Sequence, residues 1–354
     1  MAQIDELLRY LKQHKGSDLH LAAGLEPRVR VNGELRAVEG QGRLSDGALR
    51  KLLREVPSES QWESYEVARD LDFAYSLEGV GRFRVNFFVQ EHGAGAVLRM
   101  IPEKIVPLEE LKLPKSIEGL VHLHKGLVVV TGPTGSGKST TLAGIVDKIN
   151  RTYSKHILTL EDPVEFVHEN KVSVLSHREI GSHTKGFGPG LRAAIRQDAD
   201  VVLVGEMRDY ETISLALTAA EMGMLVFGTL HTNSAPKTID RIIDTFPSDE
   251  QGQVRLSLAE SLAAVVAQLL LPTADGKGRV AANEILLKTK ALPNIIREAN
   301  FSMLGSYIQQ GKAEGMQLMD DALFDLVQAK RVDAHDAYAK AMDKARFESL
   351  LPKE

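Results

Sequence analysis

The stretch Gly132-Pro133-Thr134-Gly135-Ser136-Gly137-Lys138-Ser139-Thr140 constrains the fold of this chain more than any other. It follows the apolar run Leu127 to Val130 and precedes Leu142, Ile145, Val146 and Ile149, whose spacing is helical. Strand, glycine loop and helix in that order make a P-loop. Only glycines let backbone N–H groups turn inward and come close to phosphate oxygens. Lys138 would then bridge the β- and γ-phosphates of ATP, Ser139 would hold Mg²⁺, and the helix would turn its positive end to the anion. A glycine-rich turn that binds nothing needs neither the four-residue spacer nor the Lys-Ser pair. The nine residues Gly132 to Thr140 are therefore the candidate nucleotide contacts, and the chain must supply an α/β sheet to carry them.

At 354 residues there is room for two or three domains with their own cores, and 43% hydrophobic content fits a globular protein. The most apolar segment, Leu256 to Leu271, is interrupted by Ser257, Glu260, Ser261 and Gln268 and is short for a bilayer span. The N-terminal residues Met1 to Glu6 include two acids and no apolar core of a signal peptide, so residence in the cytoplasm is expected. The lack of cysteine excludes disulfides and cysteine-ligated zinc. A net charge of −5 weighs against nucleic acid as a track.

Residues 1–100 read as a small separate α/β domain. Ile4, Leu7, Leu8 and Leu11 mark one face of an opening helix, and Asn32-Gly33 joins Arg28-Val29-Arg30-Val31 to Glu34-Leu35-Arg36 as a hairpin. A helix is expected from about Asp46 to Glu55. In Arg82-Phe83-Arg84-Val85-Asn86-Phe87 the aromatic and aliphatic residues share one strand face, and Arg82 and Arg84 project from the other. Prolines 102, 107 and 114 mark residues 101–115 as a semi-rigid linker. Beyond it, Leu127 to Val130, Ile157 to Leu160, Val201 to Val204 and Leu225 to Phe227 read as strands of a mostly parallel sheet with crossover helices. From about Pro236 onward the pattern turns mainly helical, with Leu258, Leu262, Val265 and Leu269 on one buried face and Leu323, Leu326 and Val327 in a helical tail.

Two acidic clusters close predicted strands, where open α/β sheets place their sites. Glu206, delivered by Val201 to Val204, could hold Mg²⁺ through water or orient the attacking water. Glu161, at the head of Glu161-Asp162-Pro163-Val164-Glu165, is equally a candidate to polarise water for in-line attack, while Asp162 before Pro163 could cap a helix. His231, after Leu225 to Phe227, could sense the γ-phosphate.

The P-loop, the box Glu161 to Phe166, the run Leu203-Val204-Gly205-Glu206-Met207-Arg208-Asp209 and the box Phe227-Gly228-Thr229-Leu230-His231-Thr232 occur together in this order. With Ser17-Asp18-Leu19-His20-Leu21 and Gly81 to Asn86, they make the chain resemble the secretion ATPases of type II secretion and type IV pili along nearly its whole length, and the pilus-retraction motors most of all. The resemblance implies a PAS-like first domain, a RecA-like P-loop ATPase core at 116–290 and a helical C-terminal region at 291–354. It also implies a homohexameric ring with ATP and Mg²⁺ between subunits, and a pilus platform protein of the inner membrane as partner at that membrane's cytoplasmic face. Membrane association would then run through partners alone. Arginines of the first domain reach the nucleotide in such motors, which makes Arg82, Arg84 and Arg99 candidate charge-neutralising fingers, Arg84 and Arg99 ahead of Arg82.

Three positions depart from the family pattern. Met224 stands where Gly-His-Leu is usual, His183 replaces the aspartate of Arg-Glu-x-x-x-Asp-Thr, and Pro293 replaces the first arginine of Ala-Ile-Arg-Asn-Leu-Ile-Arg-Glu. A proline there is compatible with a helix starting nearby. The Asn294 to Glu298 match and the lack of a four-cysteine module favour depolymerisation of pili over assembly. Two other readings stand beside it: a nucleic-acid translocase, whose turnover would rise with DNA or RNA, and an ATP-binding accessory paralogue with weak turnover.

Overall fold

The computed structural model describes residues 3–31, 33–101 and 104–351. These form two compact units, Met1–Lys104 with Asp162–Val167, and Ile105–Glu161 with His168–Glu354. The fold class is α/β.

In the first unit the chain runs α1 (Gln3–Gln13), β1 (Asp18–Ala22), β2 (Arg28–Val31), β3 (Glu34–Ala37), α2 (Asp46–Arg54), α3 (Glu59–Ala68), β4 (Asp70–Leu77), β5 (Gly81–Gln90) and β6 (Gly93–Ile101). The strands make one antiparallel sheet in the order β3-β2-β1-β6-β5-β4. Phe83, Val85 and Phe87 are buried in one core with Leu8 of α1, Leu49 and Leu53 of α2 and Tyr65 of α3, so the helices cover a single sheet face. That one-sided burial is why β5 alternates so cleanly. Ser45 caps α2, and Ser58 closes α3 in a capping box with Gln61. Asn32 lies outside the described residues, as does Pro102. Val31 pairs with Glu34 across a two-residue connection in which Gly33 has φ +88°.

The second unit runs α4 (Lys115–Gly119), β7 (Gly126–Thr131), α5 (Lys138–Thr152), β8 (His156–Glu161), β9 (Val174–Glu179), α6 (Phe187–Ala194), β10 (Val201–Val204), α7 (Tyr210–Glu221) and β11 (Leu225–Leu230). It continues through α8 (Ala235–Asp244), α9 (Gln251–Ser261), β12 (Leu262–Pro272), β13 (Arg279–Leu287), α10 (Leu292–Arg297), α11 (Leu304–Gln310), α12 (Met319–Gln328), α13 (Ala334–Lys340) and α14 (Lys344–Glu348). Its sheet has the order β13-β12-β7-β11-β10-β8-β9, parallel throughout except for β13. Leu127 and Val129 of β7 pack in a core with α6, α7 and α9, while Val128 and Val130 pack with Leu142, Ile145 and Val146 of α5. Helices on both faces account for strands that are apolar at every position. Leu108 and Leu113, within the proline-marked stretch, are buried in the core that holds α5.

Two readings of the sequence are corrected. Leu262, Val265 and Leu269 do not continue a helix from Leu258: α9 ends at Ser261 and the three residues lie on β12, paired in parallel with β7. A run apolar on both sides contains helical and strand spacings alike, and here sheet pairing decides between them. The region after Pro236 accordingly contributes two strands before the C-terminal helices begin. Asp162 caps no helix, because residues 164–170 are irregular; the Asp162–Pro163 peptide is cis. Among the described residues no helix is long and apolar enough to cross a membrane.

Candidate nucleotide site

Because β7, β11, β10 and β8 are parallel neighbours, their C-terminal ends share one sheet edge. That edge delivers, in spatial order, the glycine loop, His231, Glu206 and Glu161, each on a strand about 4.8 Å from the last. Four segments far apart in sequence therefore converge where open α/β sheets bind ligands.

The loop leaves β7 through Gly132 at φ +145° and enters α5 through Gly137 at φ +88°. A Cβ on Gly132 would lie 2.3 Å from the Gln268 carbonyl oxygen and 2.7 Å from Ser136 Oγ; one on Gly137 would lie 2.9 Å from Gln268 Nε2. Both positions thus need glycine for space as well as for conformation. Pro133, Thr134, Gly135 and Ser139 are exposed, and Lys138 and Thr140 are half-buried. Lys138 Nζ donates to the carbonyls of Gly132 at 2.7 Å and Pro133 at 3.1 Å, folding back over the loop. Ser136 Oγ is buried with no hydrogen-bond partner among the described residues. A loop with a lysine folded over it, two glycines with no room for a side chain and an unpaired buried hydroxyl fits a phosphate chain. The strand beneath is tied to its neighbour, since Thr131 Oγ1 donates to the Thr232 carbonyl at 2.6 Å.

Glu206 is held by two neighbouring side chains. Its Oε1 lies 2.5 Å from Arg208 Nε and 2.9 Å from His231 Nε2. Burial alone would raise its pKa, but Arg208 and then His231 outweigh that and hold it below the ordinary glutamate value. Gly205 accepts from the Thr229 hydroxyl through its carbonyl and donates to the Leu160 carbonyl at 2.7 Å. A Cβ on Gly205 would come within 3.3 Å of Glu161 Cα, so the chains bearing the two glutamates lie in contact. Among the described residues no cluster of three or more His, Asp or Glu could hold a metal without help, and the phosphates of a substrate would supply the remaining oxygens.

The arginines belong to the first unit. Arg84 and Arg99 face each other in register across β5 and β6, a like-charge pairing that costs stability unless it is offset. Asp18 Oδ1 lies 2.7 Å from Arg99 Nε, and Asp72 lies 4.0 Å from Arg84. Burial would raise the Asp18 pKa, but Ser17 and Arg99 together hold it below its ordinary value. Arg99 is still 68% exposed, so its remaining donors can reach solvent. Arg82 donates to the Val164 carbonyl at 3.1 Å.

Of the departures, Met224 is buried at the start of β11, seven residues before His231 and so roughly 20 Å away along the strand. His183 Nδ1 accepts from the Glu179 N–H at 2.9 Å, as an aspartate oxygen would. Pro293 occupies the first turn of α10, where its missing N–H breaks no helical bond. A cavity of about 820 Å³, lined by Lys125, Gly126, Ser261 and Lys288, opens at the start of β7 and β12, the sheet edge opposite the loop. Sequence reasoning missed Arg208 and Gln268 as parts of the site. The signal for Gln268 was its polarity within a buried apolar run.

A family model described as type II/IV secretion system protein matches residues 3–344. The chain belongs to that family. It is 48% identical over 338 residues to the type IV pilus retractation ATPase PilT of Pseudomonas aeruginosa, an alignment that covers 96% of this chain and 98% of that one. It is 47% identical over 317 residues to a twitching motility protein of Neisseria gonorrhoeae, covering 90% and 84% of the two chains. A crystal structure of the pilus retraction motor PilT with bound ADP superposes with a TM-score of 0.91 at 42% identity, covering 99% of this chain and all of that one. The membership extends over both units, arginine-bearing sheet and P-loop alike.

Proposed function

We propose that the protein is an ATPase that hydrolyses ATP to ADP and phosphate to drive retraction of type IV pili and twitching motility. The observation that carries this reading is the single sheet edge on which the P-loop, His231, Glu206 and Glu161 are gathered, in a chain of this family. Gly132 to Thr140 bind the phosphates through backbone N–H groups and Lys138. Ser139, with Glu206 acting through water, would hold Mg²⁺, whose charge would offset that of the phosphate oxygens. Glu161 or Glu206 orients and deprotonates the attacking water. His231, bonded to Glu206, registers the γ-phosphate and passes its presence to the sheet. Arg84 and Arg99, with Arg82, neutralise charge developing at the phosphates of a neighbouring subunit.

The working form is a homohexamer in the cytoplasm, at the cytoplasmic face of the inner membrane, coupled to the platform protein that handles pilins and to no nucleic acid. The domain division is the one given above: 1–100, a linker, an ATPase core at 116–290 and a helical region at 291–354. ATP binding closes one domain on the neighbour's P-loop, and hydrolysis with product release reopens it.

Lys138→Ala is the direct test. Purified variant should show no ATP turnover above background in a phosphate-release assay while keeping the wild-type circular dichroism spectrum. Turnover at the wild-type rate would contradict the site.

A further inference from the structure

Gln268 lies on β12 one residue beyond the Ala267–Thr131 pair, beside the point where β7 gives way to the phosphate loop. Its side chain is buried, in a strand otherwise apolar from Leu262 to Leu271. Every polar atom of the amide is engaged. Nε2 donates to the Ser136 carbonyl at 2.7 Å, and Oε1 accepts from Thr141 Oγ1 at 2.9 Å and from Asn283 Nδ2 at 3.1 Å. One residue thus ties the loop, the first turn of α5 and the neighbouring strand β13 together. The Ser136 carbonyl can only accept, so it settles which way round the amide sits and places Nε2 against the loop.

The Ser136 carbonyl and the Gly137 N–H belong to one planar trans peptide and point in opposite directions. Drawing the carbonyl toward Gln268 turns the Gly137 N–H away from it, into the turn of the loop at the N-terminus of α5. We propose that Gln268 is a positioning residue for the nucleotide, which acts by holding the Ser136–Gly137 peptide in the orientation that offers its N–H to a phosphate oxygen. The role rests on the ATPase reading above and adds to it a residue outside every motif named there. The clamp continues away from the loop: Gln317 Nε2 donates to the Asn283 carbonyl at 2.7 Å, and the adjacent Glu284 accepts from the N–H groups of Ala235 and Met319. Asn283, the second hold on the amide, is itself 1% exposed.

Two variants of the full chain test this, with ADP affinity measured by calorimetry. Gln268→Glu keeps an acceptor for Thr141 and Asn283; ionised, it loses the donor and adds a negative charge, and the uncharged Gln268→Met separates the two effects. A buried carboxyl ionises late, so at about pH 9 the variant cannot donate to Ser136, whereas at about pH 6 its proton can. ADP should bind about tenfold or more weakly than to wild type at the higher pH and recover toward wild type at the lower. Gln268→Met, with no donor at any pH, should stay weak at both. A merely structural role would lower the thermal midpoint of both variants without a pH-dependent return of affinity. Wild-type affinity in Gln268→Met at both pH values, whatever Gln268→Glu does, or an equal loss at both in the two, would overturn the role. Should neither variant fold, Asn283→Ala leaves the donor in place but frees the amide to turn over; a several-fold loss of ADP affinity supports the role and unchanged affinity overturns it. Wild-type protein that bound no ADP would defeat the ATPase reading, and this role with it.

Discussion

Glu206 has its charge secured by Arg208 and His231, and Glu161, at the end of β8, lies close to the backbone of Gly205. Glu161→Gln and Glu206→Gln preserve shape and remove charge, so each should still bind ATP while turnover falls about 10²- to 10⁴-fold. Single-turnover assays on the two identify the residue that activates water, as the one whose chemical step slows more. A variant hydrolysing at the wild-type rate would remove that glutamate from the mechanism. A second residue prediction concerns His168, whose ring stacks on His177 at 5.7 Å between centroids. Burial first, and the neighbouring His177 second, lower its pKa from 6.5 to about 4. The unfolded chain therefore takes up this proton before the folded one does. Its contribution to stability is complete above about pH 6.5 and is lost as pH falls toward about 4. Thermal midpoints measured across that window should drop less steeply for His168→Phe than for wild type, and equal slopes would contradict the assignment.

At the scale of elements, strands with burial on one side were legible because their alternation is itself the burial pattern, as in Phe83, Val85 and Phe87. The strands before the P-loop, Glu161, Glu206 and His231 were legible because short apolar runs ended in glycine or acids. β12 was not, since a run buried on both faces satisfies either period until its neighbour is known. The order of the strands, which sets His231 next to the loop and Glu161 three strands away, depends on pairing between distant segments that no local pattern encodes. Gln268 escaped as a site residue for a related reason: its partners Ser136 and Thr141 lie more than 120 positions upstream. α10 gives an element-scale prediction. Pro293 sits in its first turn, so Pro293→Ala should change the unfolding free energy by less than about 1 kcal/mol. Ile296, fully buried in the same helix, should cost about 2–5 kcal/mol on mutation to alanine. Urea denaturation of the two compares them directly, and a larger loss for Pro293→Ala would show that the proline has a packing role.

At the scale of the whole molecule, the ring proposed above would bring the nucleotide edge of one subunit to the arginine-bearing sheet of its neighbour. Such a machine would convert ATP turnover into domain motion. The position of Pro293 at a helix start, and of Met224 far from the nucleotide edge, leaves the retraction reading physically consistent despite both departures. The most direct test is a count of surface pili by electron microscopy on cells of the source organism whose only copy of this gene carries Lys138→Ala. An excess of pili together with loss of twitching is expected. Bald cells would contradict the retraction reading, because they would mean that this ATPase builds pili instead of removing them.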